Sequence, residues 1–233
     1  MDAVWHNVAV VGGHGKIGQL LCAELVSRGD QVTAVIRQTA QIPRMRELGT
    51  DPLVFDIEGM DARDLAPFFR GMDTVVFTAG AGVGSGAPRK RTVDYGGSLF
   101  AQRAALEAGV ERFIQVSTLN VEHPIDPESS HVWKEYVRAK RDADKQLCRT
   151  TLDWVIVRPG ILIDEPPTGH IHAERQLPEM AADSLTIPRG DVATVLADCV
   201  HSSVISRIAF DVVSGNDPIS EALSNLYIQP AKF

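Results

Sequence analysis

The 233-residue chain has only three cysteines, Cys22, Cys148 and Cys199. They are odd in number, far apart and outside metal-ligand spacing, which excludes a disulfide framework and points to reduced thiols in the cytoplasm. Aromatic residues make up 6% of the chain, leaving few stacking platforms for single-stranded nucleic acid. Basic residues are not in excess. The 23 Lys and Arg face 30 Asp and Glu for a net charge of -7, which argues against a polyanionic partner. No apolar run approaches the roughly 18–20 residues that span a bilayer, and residues 1–13 lack the basic-then-apolar order of a signal peptide. Repeats, low-complexity tracts and long charge blocks are also missing. What remains is a globular chain, 44% hydrophobic, expected to handle a small molecule as a monomer or small homo-oligomer, with no nucleic-acid or membrane partner.

The dominant pattern is alternation. Short β-branched runs at 8–11, 32–36, 53–55, 74–77, 113–116 and 154–157 are continuous rather than alternating, as suits parallel strands covered on both faces. Between them lie segments of helical spacing. Ile17, Leu21 and Leu25 recur every four residues and Gly29 stands where that helix would stop. Further helices are expected near 43–48, 61–70, 89–108 and 131–149. Six strand–helix alternations predict an α/β fold, a Rossmann-type doubly wound parallel sheet with helices on both faces. After Arg158 the rhythm changes. Residues 160–188 read as loops with a short strand or two, followed by a helix over 191–203, a strand around 210–213 and a helix over 219–226. No linker interrupts the chain, so residues 1–233 read as one domain. A cofactor-binding core covers about 1–158, and a small substrate-side region covers about 159–233.

The most informative stretch is Val8 to Gly18. Gly12, Gly15 and Gly18 form G-x-x-G-x-x-G, and Gly13, Gly15 and Gly18 also satisfy G-x-G-x-x-G. The loop follows a hydrophobic strand and opens an amphipathic helix, the context in which such glycines serve a tight turn and a close approach to pyrophosphate. Unpaired N–H groups at the helix start then face the phosphate. The whole run, including His14, Lys16 and Ile17, is assigned to a dinucleotide, with the His14 ring directed away from the phosphate. An NAD site places an acidic residue about 20 residues further on, to hold the ribose 2′-OH. Here the second strand ends in Arg37, whose guanidinium suits a 2′-phosphate, so NADP(H) is favoured over NAD(H). Asp56, past the third strand, is a candidate acceptor for the adenine amino group. Ala79 and Gly80, after the fourth, supply a second glycine-containing floor.

Tyr136 and Lys140 stand four residues apart, on one helix face. A nearby ammonium stabilises phenolate and lets the phenol act as acid or base near neutrality. The fifth strand, upstream, ends in the hydroxyls Ser117 and Thr118. His170 and His172 share a strand face, but no third ligand stands at useful spacing and no metal site is assigned. Residues 166–169, Pro-Pro-Thr-Gly, resemble a lid segment. The basic run Arg89-Lys90-Arg91 is a candidate for cofactor or substrate contact, against the plainer reading of a solvated helix start.

Taken together these features resemble the atypical short-chain dehydrogenases/reductases, in particular NAD(P)H-binding proteins built like flavin/biliverdin reductase. The matching residues are Gly12, Gly15 and Gly18; Ala79-Gly80; Ser117-Thr118; Tyr136 and Lys140 in a Tyr-x-x-x-Lys-x-x-Ala-Asp run; Val157-Arg158-Pro159-Gly160; residues 189–193; and residues 212–215. The resemblance implies that Tyr136 is the general acid, that Lys140 holds the nicotinamide ribose, and that Thr118 or Ser117 hydrogen-bonds the substrate oxygen, Thr118 being slightly favoured. It also brings Pro159 to the cofactor. The expectation is an NADP(H)-dependent reductase acting on a small carbonyl, quinone or flavin-like acceptor. Its rivals are a non-catalytic NADP(H)-sensing regulator and a redox-neutral epimerase.

Overall fold

A computed structural model describes residues 5–59, 61–82, 84–178 and 185–228. Among the described residues nine strands form the main sheet. The first half runs β1 (Asn7–Val11), α1 (Lys16–Ser27), β2 (Gln31–Ile36), α2 (Ile42–Glu47), β3 (Asp51–Val54), α3 (Ala62–Phe69) and β4 (Thr74–Phe77). A helix then begins as α4 (Ala87–Arg89), passes through a π-helical stretch at Lys90–Gly97 and continues as α5 (Ser98–Ala108). The remainder is β5 (Arg112–Val116), α6 (His131–Leu147), β6 (Asp153–Pro159), β7 (Ile161–Ile163), β8 (His170–Glu174), β9 (Thr186–Pro188), α7 (Arg189–His201), β10 (Ile208–Ser214), β11 (Asp217–Pro218) and α8 (Ile219–Ile228).

The six expected β-branched runs are the six parallel strands β1 to β6. Their continuous hydrophobicity follows from burial on both sides: Val8 and Val10 face the core under α1 and α7, whereas Ala9 and Val11 face the core under α3 and α5. Val76 and Ile114 join the first core, and Phe77 and Phe113 the second. The strand order is β11-β8-β10-β6-β5-β4-β1-β2-β3, and it reverses at β1, with β2 and β3 on one side and β4, β5 and β6 on the other. A crevice at the carboxyl ends of β1 and β4 is the geometric consequence.

Residues 160–178 and 185–188 hold three strands where their composition suggests loops with a short strand or two. β7 and β9 form a separate parallel pair, and β8 enters the main sheet antiparallel to β10. The segment that resembles a lid is tied to α7 at its Thr168–Gly169 end. The Thr168 and Gly169 amides and the Thr168 hydroxyl donate to the fully buried Asp191 carboxylate at 2.8–3.0 Å. Residues 179–184 of that stretch lie outside the described residues. No described helix is long and apolar enough to cross a membrane.

Candidate active site

The glycine loop occupies the crevice. The Gly12 and Gly13 amides donate to the Val35 carbonyl, tying the loop to β2, and the Thr78 hydroxyl donates to the Val11 and Gly12 carbonyls, tying it to β4. Gly12 adopts φ +87°, and a Cβ there would lie 2.7 Å from the backbone of Ala79. Gly18 is equally constrained, since its Cβ would sit 2.4 Å from the Gly12 carbonyl oxygen. Gly15 differs. It is exposed, it is the N-cap of α1 with no side chain capping the helix, and a Cβ there would meet only the Gly12 carbonyl oxygen, at 3.2 Å. Open space over uncapped helical N–H groups fits a pyrophosphate.

His14 Nδ1 lies 3.2 Å from Gln41 Nε2, and Gln41 Oε1 accepts the Arg37 and Gln38 amides, which fixes the end of β2. The Arg37 side chain is exposed and makes no hydrogen bond or ion pair among the described residues. Ile17 is buried in the core, so only its backbone is available to a ligand. Lys16 pairs with Asp164 at 2.5 Å, and Asp164 also accepts from Arg189 at 2.6 Å. The hydrogen bond from Lys16, reinforced by Arg189, holds the Asp164 carboxyl below its ordinary range. Asp56 is exposed and accepts the Glu58 amide. Pro159 ends β6, and its carbonyl accepts the Leu119 amide.

The catalytic candidates lie just past the end of β5 and along α6. Lys140 is buried; its ammonium donates to the Val116 carbonyl at 3.0 Å and lies 3.4 Å from Asp94 Oδ1 and 6.0 Å from the Tyr136 ring centroid. Burial alone would lower its pKa, but the Asp94 carboxylate, Tyr136 and Asp144 outweigh that and leave it raised. Tyr136 is half-buried, with the Trp133 ring 5.4 Å away. The Thr118 hydroxyl makes no hydrogen bond among the described residues, whereas Ser117 Oγ donates to Asp144 at 2.8 Å. Asp144 also accepts from Gln115 at 2.7 Å and from Arg158 Nε at 3.2 Å. Burial pushes this carboxyl up, against the Arg158 charge and those hydrogen bonds. Arg158 reaches on to Glu122, and Arg141 donates to the Val121 and His123 carbonyls, so the acid-rich connection after Thr118 is held down.

Two residues outside the expected set complete the site. Asp94 accepts the Ala81 amide at 3.2 Å while pairing with Lys140, and so joins the Ala79–Gly80 floor to the Tyr136 helix. Asp144 anchors Ser117. Both were signalled by position, since each is an acidic residue on the apolar stripe of its helix. His170 and His172 instead face the Thr168 carbonyl and Glu174. A cavity of about 480 Å³, lined by His6, Asp73, Arg112, Asp153 and His201, opens at the amino ends of the strands. In an open α/β sheet ligands bind at the carboxyl ends, where the glycine loop stands.

A doubly wound sheet with an uncapped glycine loop at its switch point defines a Rossmann-type dinucleotide-binding protein. Residues 12–203 match the NAD(P)H-binding family model, and the chain belongs to that family. It is 34% identical to YhfK of Bacillus subtilis, named an uncharacterized sugar epimerase, over 94% of this chain and 100% of that one. A solved Bacillus halodurans structure, provisionally named an NAD-dependent epimerase/dehydratase, is similar at TM-score 0.86 and 33% identity, covering 95% of this chain and 100% of that one. The structure of the oxidoreductase YlbE from Lactococcus lactis is similar at TM-score 0.82 and 27% identity, covering 96% and 97%.

Proposed function

We propose that the protein is a cytoplasmic NADPH-dependent reductase acting on a small carbonyl, quinone or flavin-like acceptor. The observation that carries this reading is Lys140. Its buried ammonium, paired with Asp94, lies 6.0 Å from the Tyr136 ring. A fixed cation beside a phenol favours loss of the phenolic proton. Bound NADPH would supply the hydride. Tyr136 would give its proton to the acceptor oxygen, and the unpartnered Thr118 hydroxyl would orient that oxygen. Ser117, committed to Asp144, would hold the strand end in place. Lys140 has three N–H donors and two protein acceptors, which leaves one for the nicotinamide ribose. The exposed Arg37, with no acidic residue beside it on the strand end, supports the phosphorylated cofactor. The net charge of -7 and the three free thiols support a small-molecule task in a reducing compartment.

The second reading is redox-neutral epimerisation, favoured by the names of the two Bacillus relatives. A substrate panel read as NADPH absorbance loss tests the first. Tyr136→Phe keeps the ring but removes the acidic proton, so turnover should fall about 10²–10⁴-fold with NADPH affinity unchanged. Lys140→Met should weaken both. Full turnover in Tyr136→Phe would remove the phenol from proton transfer. A panel with no reduced member, together with epimerisation of a sugar nucleotide, would decide for the second reading. Tight NADPH binding with neither activity would leave the sensing role.

A further inference from the structure

Arg89, Lys90 and Arg91 are consecutive, yet the fold treats them differently. Arg89 pairs with Glu58 at 2.6 Å and Arg91 with Asp142 at 2.6 Å, so the two flanking charges are neutralised. Lys90 has no carboxylate partner among the described residues. Its ammonium donates to the Gly82 carbonyl at 2.9 Å and lies 5.2 Å from the Tyr136 ring centroid. The other ammonium beside that ring, Lys140, is already matched by Asp94. The Tyr136 surroundings therefore carry one unmatched positive charge, and Lys90 supplies it. Lys90 also opens the π-helical stretch that holds Asp94, and such stretches recur at functional sites. Trp133, about half exposed and stacked obliquely on Tyr136, adds an apolar wall.

We propose that Lys90 is the anion-recognising residue of the substrate site, so that the acceptor is a carbonyl compound bearing a carboxylate or a phosphate. This rests on the reductase reading for the identity of the acceptor, though the anion subsite itself can be measured without turnover. An ammonium bonded to one backbone carbonyl keeps two N–H donors for an anionic oxygen. Charge-assisted bonding of that kind is worth about ten- to a hundredfold in affinity.

The test is calorimetric titration of the NADPH-saturated protein with benzoate, phenyl phosphate and the neutral isostere benzamide. Wild type should bind at least one anion at least tenfold more tightly than benzamide, and the preferred anion separates carboxylate from phosphate. Lys90→Gln keeps a donor for the Gly82 carbonyl but removes the charge, and should weaken that anion about tenfold or more. Lys90→Arg should restore it, and Arg91→Met should leave it unchanged. No preference for either anion in wild type, or equal anion affinity in Lys90→Gln, overturns the proposal. So does a Lys90→Gln protein that loses NADPH affinity while still binding the anion, because the ammonium would then serve a cofactor phosphate. Anion binding that depends on Lys90, with no carbonyl compound bearing the preferred anion ever reduced, would leave the subsite standing and remove the reductase reading.

Discussion

Asp94 and Lys140 form a buried ion pair across the site, 3.4 Å from carboxylate to ammonium, with 2% and 6% of their side chains exposed. Removing one member of such a pair leaves an uncompensated charge in the interior, at a cost of about 3–5 kcal/mol. Asp94→Ala should therefore lose stability of that order in urea denaturation, and Asp94→Ala with Lys140→Met should recover part of it. The folded pKa of Lys140 is raised, so its contribution is fully present below the ordinary lysine value of 10.5 and is lost only as pH rises above it. The gap between wild type and the double variant should be flat from about pH 6 to 9. A loss below about 1 kcal/mol in Asp94→Ala would mean that the pair is not buried in solution.

Arg37 is the expected reader of the 2′-phosphate. NADPH should bind more tightly than NADH, and Arg37→Ala should erase about 1.5–3 kcal/mol of that preference, a ten- to hundredfold change. Titration calorimetry on both proteins measures it. Equal wild-type affinity for the two cofactors would refute the assignment.

Gly15 and Gly18 should respond differently to valine. The Gly15 Cβ position opens on the phosphate space, so Gly15→Val should abolish the NADPH-induced melting shift while leaving circular dichroism intact. The Gly18 Cβ position is filled by the Gly12 carbonyl, so Gly18→Val should destabilise the protein itself. A melting shift retained by folded Gly15→Val would move the phosphate elsewhere.

Asp211, buried on β10 with the Leu177 amide as its hydrogen-bond donor, has its carboxyl pushed by burial from 3.8 up to about 6. The native state therefore holds this proton more tightly than the unfolded chain. The resulting stability is fully present below pH 3.8 and is lost as pH rises through about 6. Asp211→Asn imitates the protonated form and still accepts from Leu177. It should be more stable than wild type at pH 8 by on the order of 2–3 kcal/mol, with the gap closing toward pH 4. Thermal melts at the two pH values check the sign.

The parallel core and the phosphate loop were legible because their causes are local. Runs such as Val8–Val11 carry their own burial pattern, and the glycine spacing carries its own geometry. The partners of Lys140 and Ser117 were not legible as partners, because Asp94 and Asp144 lie 46 and 27 residues away in the chain. Their placement could still be read. Asp94, Gly97, Ser98, Ala101, Gln102 and Ala105 follow one helical stripe, and all are buried. A carboxylate on that stripe calls for a cation. β8 was obscured for another reason. His170–Glu174 is short and half polar, and becomes a strand through pairing with β10. The π-helical stretch has no signature in apolar spacing, and residues 89–108 read as one ordinary helix.

The two borders of the nine-stranded sheet share a device against growth. In β3 the Phe55 amide is directed inward to Ile36, so by alternation Pro52 faces away from the sheet. In β11 the Ile219 amide is directed inward to Gly169, which places Pro218 on the outer side as well. Each border thus offers a ring where an incoming strand would look for an N–H. Both margins therefore resist the addition of a foreign strand.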